Sequence, residues 1–209
     1  MSIKKTSLVI HHSAIHSDDD KEQFDLIDNA HERRWNGRTK SRMGFFGGYG
    51  YIVERSGVVQ QFRNDDETGA HCNKGMKWTI GGRVSANYYA IGICFAGNMS
   101  EEDLTPEQIE SGYILIRDLQ NKHNIPESEV RPHRYYTPTQ CPGNRIPNDV
   151  MGYLRDEYEK GKGKVYDVPA WSLEGVKWAH KNKIINRFSG REIKDYELAT
   201  ILHRLHGDK

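Results

Sequence analysis

Long hydrophobic runs are missing from this sequence: no apolar stretch approaches the roughly 20 residues of a membrane helix, so membrane insertion is not expected. The opening Met-Ser-Ile-Lys-Lys-Thr-Ser is followed by only three apolar residues, Leu8 to Ile10, too few for a secretion-signal core. That predicts a chain made and first kept in a cytosol. Charge of one sign is equally scarce. Thirty Lys and Arg against 29 Asp and Glu leave a net charge of +1, without the basic excess that a nucleic-acid partner normally requires. Cysteine is rare and odd in number, three in 209 residues, which argues against a disulfide framework. Cys72 and Cys94 read as small buried thiols, and spacing alone does not say whether they pair. What the chain does hold is 10 histidines, 20 glycines and 36% hydrophobic residues. That length and composition suit one good-sized domain and a small one.

The most informative stretch is Arg131-Pro-His133-Arg-Tyr-Tyr-Thr-Pro-Thr139-Gln-Cys141-Pro-Gly143. Its prolines and glycine dictate an extended, turning loop rather than a helix. Such a loop can hold His133 and Cys141 on one side of a small site, and an imidazole with a thiolate favours zinc. A third ligand must come from elsewhere. The first apolar run, Leu8-Val9-Ile10-His11-His12-Ser13, reads as a strand that ends in histidine at a sheet edge. Neighbouring strand residues point to opposite faces, so only one of His11 and His12 can reach the metal, and spacing leaves the choice open. His11, His133 and Cys141 would form a two-histidine, one-thiolate set. Three protein ligands leave a fourth position free, the pattern of a catalytic rather than a structural zinc.

The rest of the chain predicts an α/β fold: a mixed central β-sheet flanked by helices, with a small C-terminal helical domain. Ser17-Asp-Asp-Asp20 reads as a helix start, with Phe24, Ile27 and Ala30 facing inward and His31 at the helix end or surface. Tyr49 to Val53 and Val58 to Phe62 read as an antiparallel pair joined at Ser56-Gly57. Lys74 to Ser85 reads as an inserted basic loop whose Trp78 could touch a glycan. Ala90 to Ala96 is the most apolar stretch and reads as a central strand buried on both faces. Thr105 and Pro106 open a helix as N-cap and first residue, with Ile109, Tyr113, Ile116 and Leu119 as its inner face. A further helix is expected from about 147 to 159. A catalytic domain over 1–159, a linker over 160–164 and a helical module over 165–209 complete the plan. The last is too small to bury a core alone, which points to cell-wall binding or self-association; Trp171 to Arg204 resembles an S-layer-homology unit.

Five segments occur in a telling order: Ile10-His11-His12-Ser13-Ala14, Gly48-Tyr49-Gly-Tyr-Ile-Val, Gly69-Ala-His71, Asn87-Tyr-Tyr-Ala-Ile-Gly92-Ile and His133 to Cys141-Pro-Gly143. Together they resemble the zinc-dependent N-acetylmuramoyl-L-alanine amidases, a family that includes phage lysozyme-amidases and animal peptidoglycan recognition proteins. The resemblance covers about the first three quarters of the chain. It implies hydrolysis of the amide between N-acetylmuramic acid and L-alanine in peptidoglycan, in the manner of a phage or prophage endolysin acting on the wall after release. It favours His11 over His12 as ligand, gives Tyr49 the task of holding or activating the attacking water, and places His71 in the substrate groove. Trp78 and Asn87 are expected beside it, Asn87 also serving the backbone of its loop. Thr139, two residues before Cys141, is positioned to stabilise the oxyanion. Some phage members carry lysine there, and threonine resembles the recognition-protein branch, which puts the rate rather than the reaction in question. The alternative is a peptidoglycan-binding module without activity. Members of that kind typically lack the cysteine ligand that Cys141 supplies here.

Overall fold

A computed structural model describes residues 4–16, 22–79 and 82–162 of the chain. The first of its two compact units ends at Gly161. The helices expected within 165–209, and the helix start expected at Ser17 to Asp20, lie outside the described residues.

In chain order the elements are β1 (Ser7–His12), α1 (Phe24–Trp35), β2 (Tyr51–Val53), β3 (Val59–Gln61), β4 (Lys77–Thr79), β5 (Gly82–Val84), α2 (Ala86–Tyr89), β6 (Ala90–Phe95), α3 (Pro106–His123), β7 (Val130–Pro132) and α4 (Val150–Lys162). Five strands form one mixed sheet in the order β3-β2-β6-β1-β7, and β4 pairs with β5 as a separate hairpin. Strand β1 runs parallel to both β6 and β7. β2 is parallel to β6 and antiparallel to β3. Every residue of β1 and β6 is buried, which is why both read as continuous apolar runs: each face of a parallel sheet is covered.

Alternate residues serve different faces. Leu8, Ile10, Ile93 and Phe95 pack in the main core with Ile116 and Leu119 of α3 and Met151 and Leu154 of α4. On the other face Cys94 and Ile52 pack with Phe24 and Ile27 of α1. Helix α3 has the expected cap: the Thr105 side chain accepts from the Gln108 amide, and Gln108 completes a capping box. Ile116 and Leu119 are buried, with Ile109 and Tyr113 partly so.

Four expectations are corrected. Helix α1 begins at Phe24, with Gln23 at its N-cap; Glu22 and Gln23 are not helical. The cap comes from a distant residue: the Glu54 carboxylate accepts from the amides of Gln23 at 2.9 Å and Phe24 at 2.8 Å. Ala30 is exposed rather than inward, because the buried stripe of α1 is confined to Phe24 and Ile27. Strand β2 starts at Tyr51, so Tyr49 precedes it, packed against the cluster of Phe24, Ile27 and Cys94. At the other end, α4 continues through Lys160, Gly161 and Lys162, residues assigned by sequence to the linker.

Candidate metal centre and cavity

The parallel pairing of β1 and β7 builds the site. The register aligns Leu8 with Val130, Val9 with Arg131 and Ile10 with Pro132. One step further, His11 and His133 leave neighbouring strands side by side, with ring centroids 4.4 Å apart. The loop that follows His133 turns back, and the Arg134 amide donates to the Cys141 carbonyl at 3.0 Å. Cys141 Sγ thereby comes within 3.5 Å of His11 Nδ1. One ligand atom from each of His11, His133 and Cys141 lies within 4.8 Å of the others. A tetrahedral zinc site with bonds of about 2.0–2.3 Å has ligand atoms somewhat closer than this, so a small contraction fits the set to the ion.

His12 takes the opposite face. Its Nδ1 accepts from the Met99 amide at 3.0 Å, and burial lowers its pKa to about 4. His11, not His12, lies with His133 and Cys141. Burial holds His11 well below its ordinary range, and the adjacent His71 and His133 rings push the same way. Burial also lowers His133. Both imidazoles are therefore neutral, with lone pairs for a cation. Burial raises the Cys141 thiol to about 11, although the His12 amide and the Arg134 guanidinium pull it down. A thiolate here would require the charge of a bound cation.

The loop's shape rests on a residue that sequence reading passed over. Arg134 donates through Nε to Asn148 Oδ1 at 2.9 Å, through Nη1 to the Gly143 carbonyl at 2.9 Å, and through Nη2 to the Ile146 carbonyl. Gly143 has φ +90°, and a Cβ there would stand 2.3 Å from the Met99 backbone. The loop therefore needs glycine at this point.

His11, His133 and Cys141 line a cavity of about 560 Å³, together with His31, Arg34, Trp35, Tyr49, His71, Asn87 and Thr139. The Tyr49 ring lies 5.0 Å from His11 and 5.6 Å from His31. Burial raises its phenol well above the ordinary value, reinforced by the nearby Cys94 and Cys141 sulfurs. It therefore stays protonated. Thr139 Oγ1 accepts from the Cys141 amide at 3.2 Å, so its own hydrogen remains available to the cavity. Asn87 borders the cavity, but its Oδ1 is occupied by the amides of His71 at 2.7 Å and Cys72 at 2.6 Å, in keeping with its expected loop role. Trp78, on β4, is 81% exposed and is not among the cavity-lining residues. Cys72 and Cys94 are free and buried.

His31 was read as a helix-end or surface residue; instead it faces the cavity. Its Nδ1 accepts from the Gly48 amide at 2.9 Å. Burial, aided by the Arg34 cation, lowers its pKa to about 4. With Nδ1 accepting, the neutral ring carries its proton on Nε2. Asp28, three residues earlier in α1, accepts at Oδ1 from the Phe46 and Gly47 amides.

A larger hollow, about 700 Å³, lies at the other end of β1 around Lys4, Lys5, Tyr51, Asp65 and Lys122. Asp65 there sits 2.6 Å from the Tyr51 hydroxyl, 2.7 Å from Lys122 Nζ and 2.8 Å from His123 Nε2. Asp65 is thus engaged by these three groups and no cysteine lines the hollow, so volume does not make it the chemical centre.

Residues 3–144 match a family described as N-acetylmuramoyl-L-alanine amidase. The chain is similar to peptidoglycan-recognition protein SC1a of Drosophila melanogaster, 30% identical over 107 residues, which are 51% of this chain and 52% of that protein. It is also similar to the endolysin of Escherichia phage T7, 28% identical over 100 residues, 46% of this chain and 58% of the endolysin. The chain thus spans about half the length of the curated relatives it matches. Among solved structures, N-acetylmuramoyl-L-alanine amidase LysC from Clostridium intestinale URNW aligns with TM-score 0.56 and 26% identity, covering 75% of this chain and 87% of LysC.

Proposed function

The chain belongs to the N-acetylmuramoyl-L-alanine amidase family, and from that premise we propose that it hydrolyses the amide between N-acetylmuramic acid and the first L-alanine of the peptidoglycan stem, using zinc held by His11, His133 and Cys141. One observation carries this reading: the three ligand atoms gather within 4.8 Å of one another in the wall of a cavity that also holds Tyr49 and Thr139. When bound, zinc supplies Lewis acidity toward an amide carbonyl and makes a water nucleophilic near neutral pH.

The remaining work falls to side chains. Neutral His11 and His133 offer lone pairs, and Cys141 gives up its proton as the metal is taken up. The Tyr49 phenol, held protonated by burial, donates a hydrogen bond that orients the attacking water. The Thr139 hydroxyl, with its oxygen fixed by the Cys141 amide, donates to the carbonyl oxygen as charge develops there. A hydroxyl stabilises that charge less than the ammonium some phage members carry. The His31 Nε2–H and the Arg34 and Trp35 side chains, all lining the cavity, supply a neutral donor, a cation and a ring for the sugar and an acidic stem. An endolysin role, acting on the wall after release, fits the T7 similarity. Residues 165–209 would then serve wall targeting or self-association.

The test is product analysis after digestion of purified peptidoglycan. An amidase releases stem peptides with a free L-alanine amino terminus and leaves the count of glycan reducing ends unchanged. New reducing ends without new L-alanine termini would reject the assignment, and tight binding without either product would favour a recognition module.

A further inference from the structure

His11 meets different partners at its two ring nitrogens. Nδ1 faces Cys141 Sγ at 3.5 Å, and Nε2 stands 3.0 Å from Nδ1 of His71, the rings meeting edge to face with centroids 5.1 Å apart. A neutral imidazole has one donor and one acceptor nitrogen. Which nitrogen of His11 carries the proton therefore decides whether Nδ1 offers a lone pair toward Cys141 and His133.

We propose that His71 is a positioning residue: its Nδ1 accepts the His11 Nε2–H, fixing the tautomer that leaves His11 Nδ1 free as a metal ligand. The proposal rests on the metal-amidase reading of the same cavity and revises the substrate-groove role that the sequence implied for His71. Metal-bound histidines usually donate their second N–H to a carboxylate, a carbonyl or water. Here a second imidazole stands at that place.

The surroundings of His71 are built to hold its ring. Its amide and that of Cys72 are both bound to Asn87 Oδ1. A Cβ at Gly69 or at Gly92 would come within 2.6 Å of ring carbons, so two glycines leave the space the imidazole occupies. Gly92 lies in β6, paired in register with Val9 of β1, two residues before His11. The His71 Nε2 is buried without a well-formed hydrogen bond. With a proton on Nε2, Nδ1 is the acceptor that His11 meets. Asn87 thereby bears on the metal site through the loop it pins.

Two substitutions separate this role from packing and from substrate contact. Asn can place its amide oxygen near the position of Nδ1, whereas Leu fills space without accepting. Zinc affinity of the full chain, measured by chelator competition, should fall about 10–100-fold in His71→Leu, and His71→Asn should hold most of it. In parallel, side-chain ¹⁵N shifts of zinc-free protein report the His11 tautomer. Nε2–H is expected in wild type and His71→Asn, and a mixture in His71→Leu. Unchanged zinc affinity in both variants with a raised KM for muropeptide would return His71 to the substrate groove. A wild-type His11 protonated on Nδ1 in the zinc-free protein would overturn the proposal even if His71→Leu fails to fold. Absence of zinc binding by wild type would instead sink the metal reading, while the tautomer measurement still decides the positioning claim.

Discussion

Adjacent residues in the sequence, His11 and His12, do unrelated jobs because a strand sends them to opposite faces. His11 joins the metal set, and His12 ties β1 to the Met99 amide. The family resemblance chose His11, and the register of β1 against β7 gives the physical reason. Tyr49 shows how burial limits chemistry. With its phenol raised well above the ordinary value, it stays protonated near neutral pH, and in the proposed mechanism it donates rather than acting as a base. Removing only its hydroxyl in Tyr49→Phe should leave zinc stoichiometry intact and lower kcat by about 10²–10⁴-fold. Single-turnover rates on a soluble muropeptide check this, and wild-type rates would reduce Tyr49 to packing. His11, His133, Cys141 and Tyr49 were legible as residues of one site because motif order carries them, and they line one cavity. His31 and Arg134 were not, because their roles depend on partners 17 residues away in one case and on several carbonyls of a folded-back loop in the other.

At the level of elements, the apolar runs at β1 and β6 and the Thr105-Pro106 start of α3 were readable because local chemistry decides them. The start of α1 was not, because its first amides are met by Glu54, some 30 residues away in the chain. The same helix is fastened to the cavity loop by Asp28 and His31, which accept from the Phe46, Gly47 and Gly48 amides. This attachment has a pH signature. Burial and Arg34 lower His31 from 6.5 to about 4. As pH falls through that window the unfolded chain takes a proton that the folded chain refuses, so stability present above pH 6.5 is lost toward pH 4. The slope for one such histidine is at most about 1.4 kcal/mol per pH unit. Denaturant unfolding of zinc-free protein between pH 7 and pH 4 should show this slope reduced in His31→Asn, which keeps an acceptor for Gly48. Equal slopes would show that His31 does not carry the effect.

Across the whole molecule, every residue assigned to chemistry precedes the end of α4 at Lys162, and the family match ends at residue 144. No helix among the described residues is long and apolar enough to cross a membrane. A chain truncated after Lys162 should therefore keep zinc and cleave soluble muropeptide at the full-length rate, but sediment less with intact cell walls or lose self-association. A truncation that melts much lower while wall binding and solution mass stay unchanged would make residues 165–209 a stabilising lid. The central claim, a catalytic metal on His11, His133 and Cys141, has a more direct test: metal content of the purified chain, read with activity before chelation, after it and after zinc is restored. The account predicts about one zinc per chain by the closed stoichiometry of three protein ligands and one open position, activity lost with the metal and regained with it, and no zinc in Cys141→Ser. A metal-free protein that is fully active, and indifferent to chelator, would contradict it.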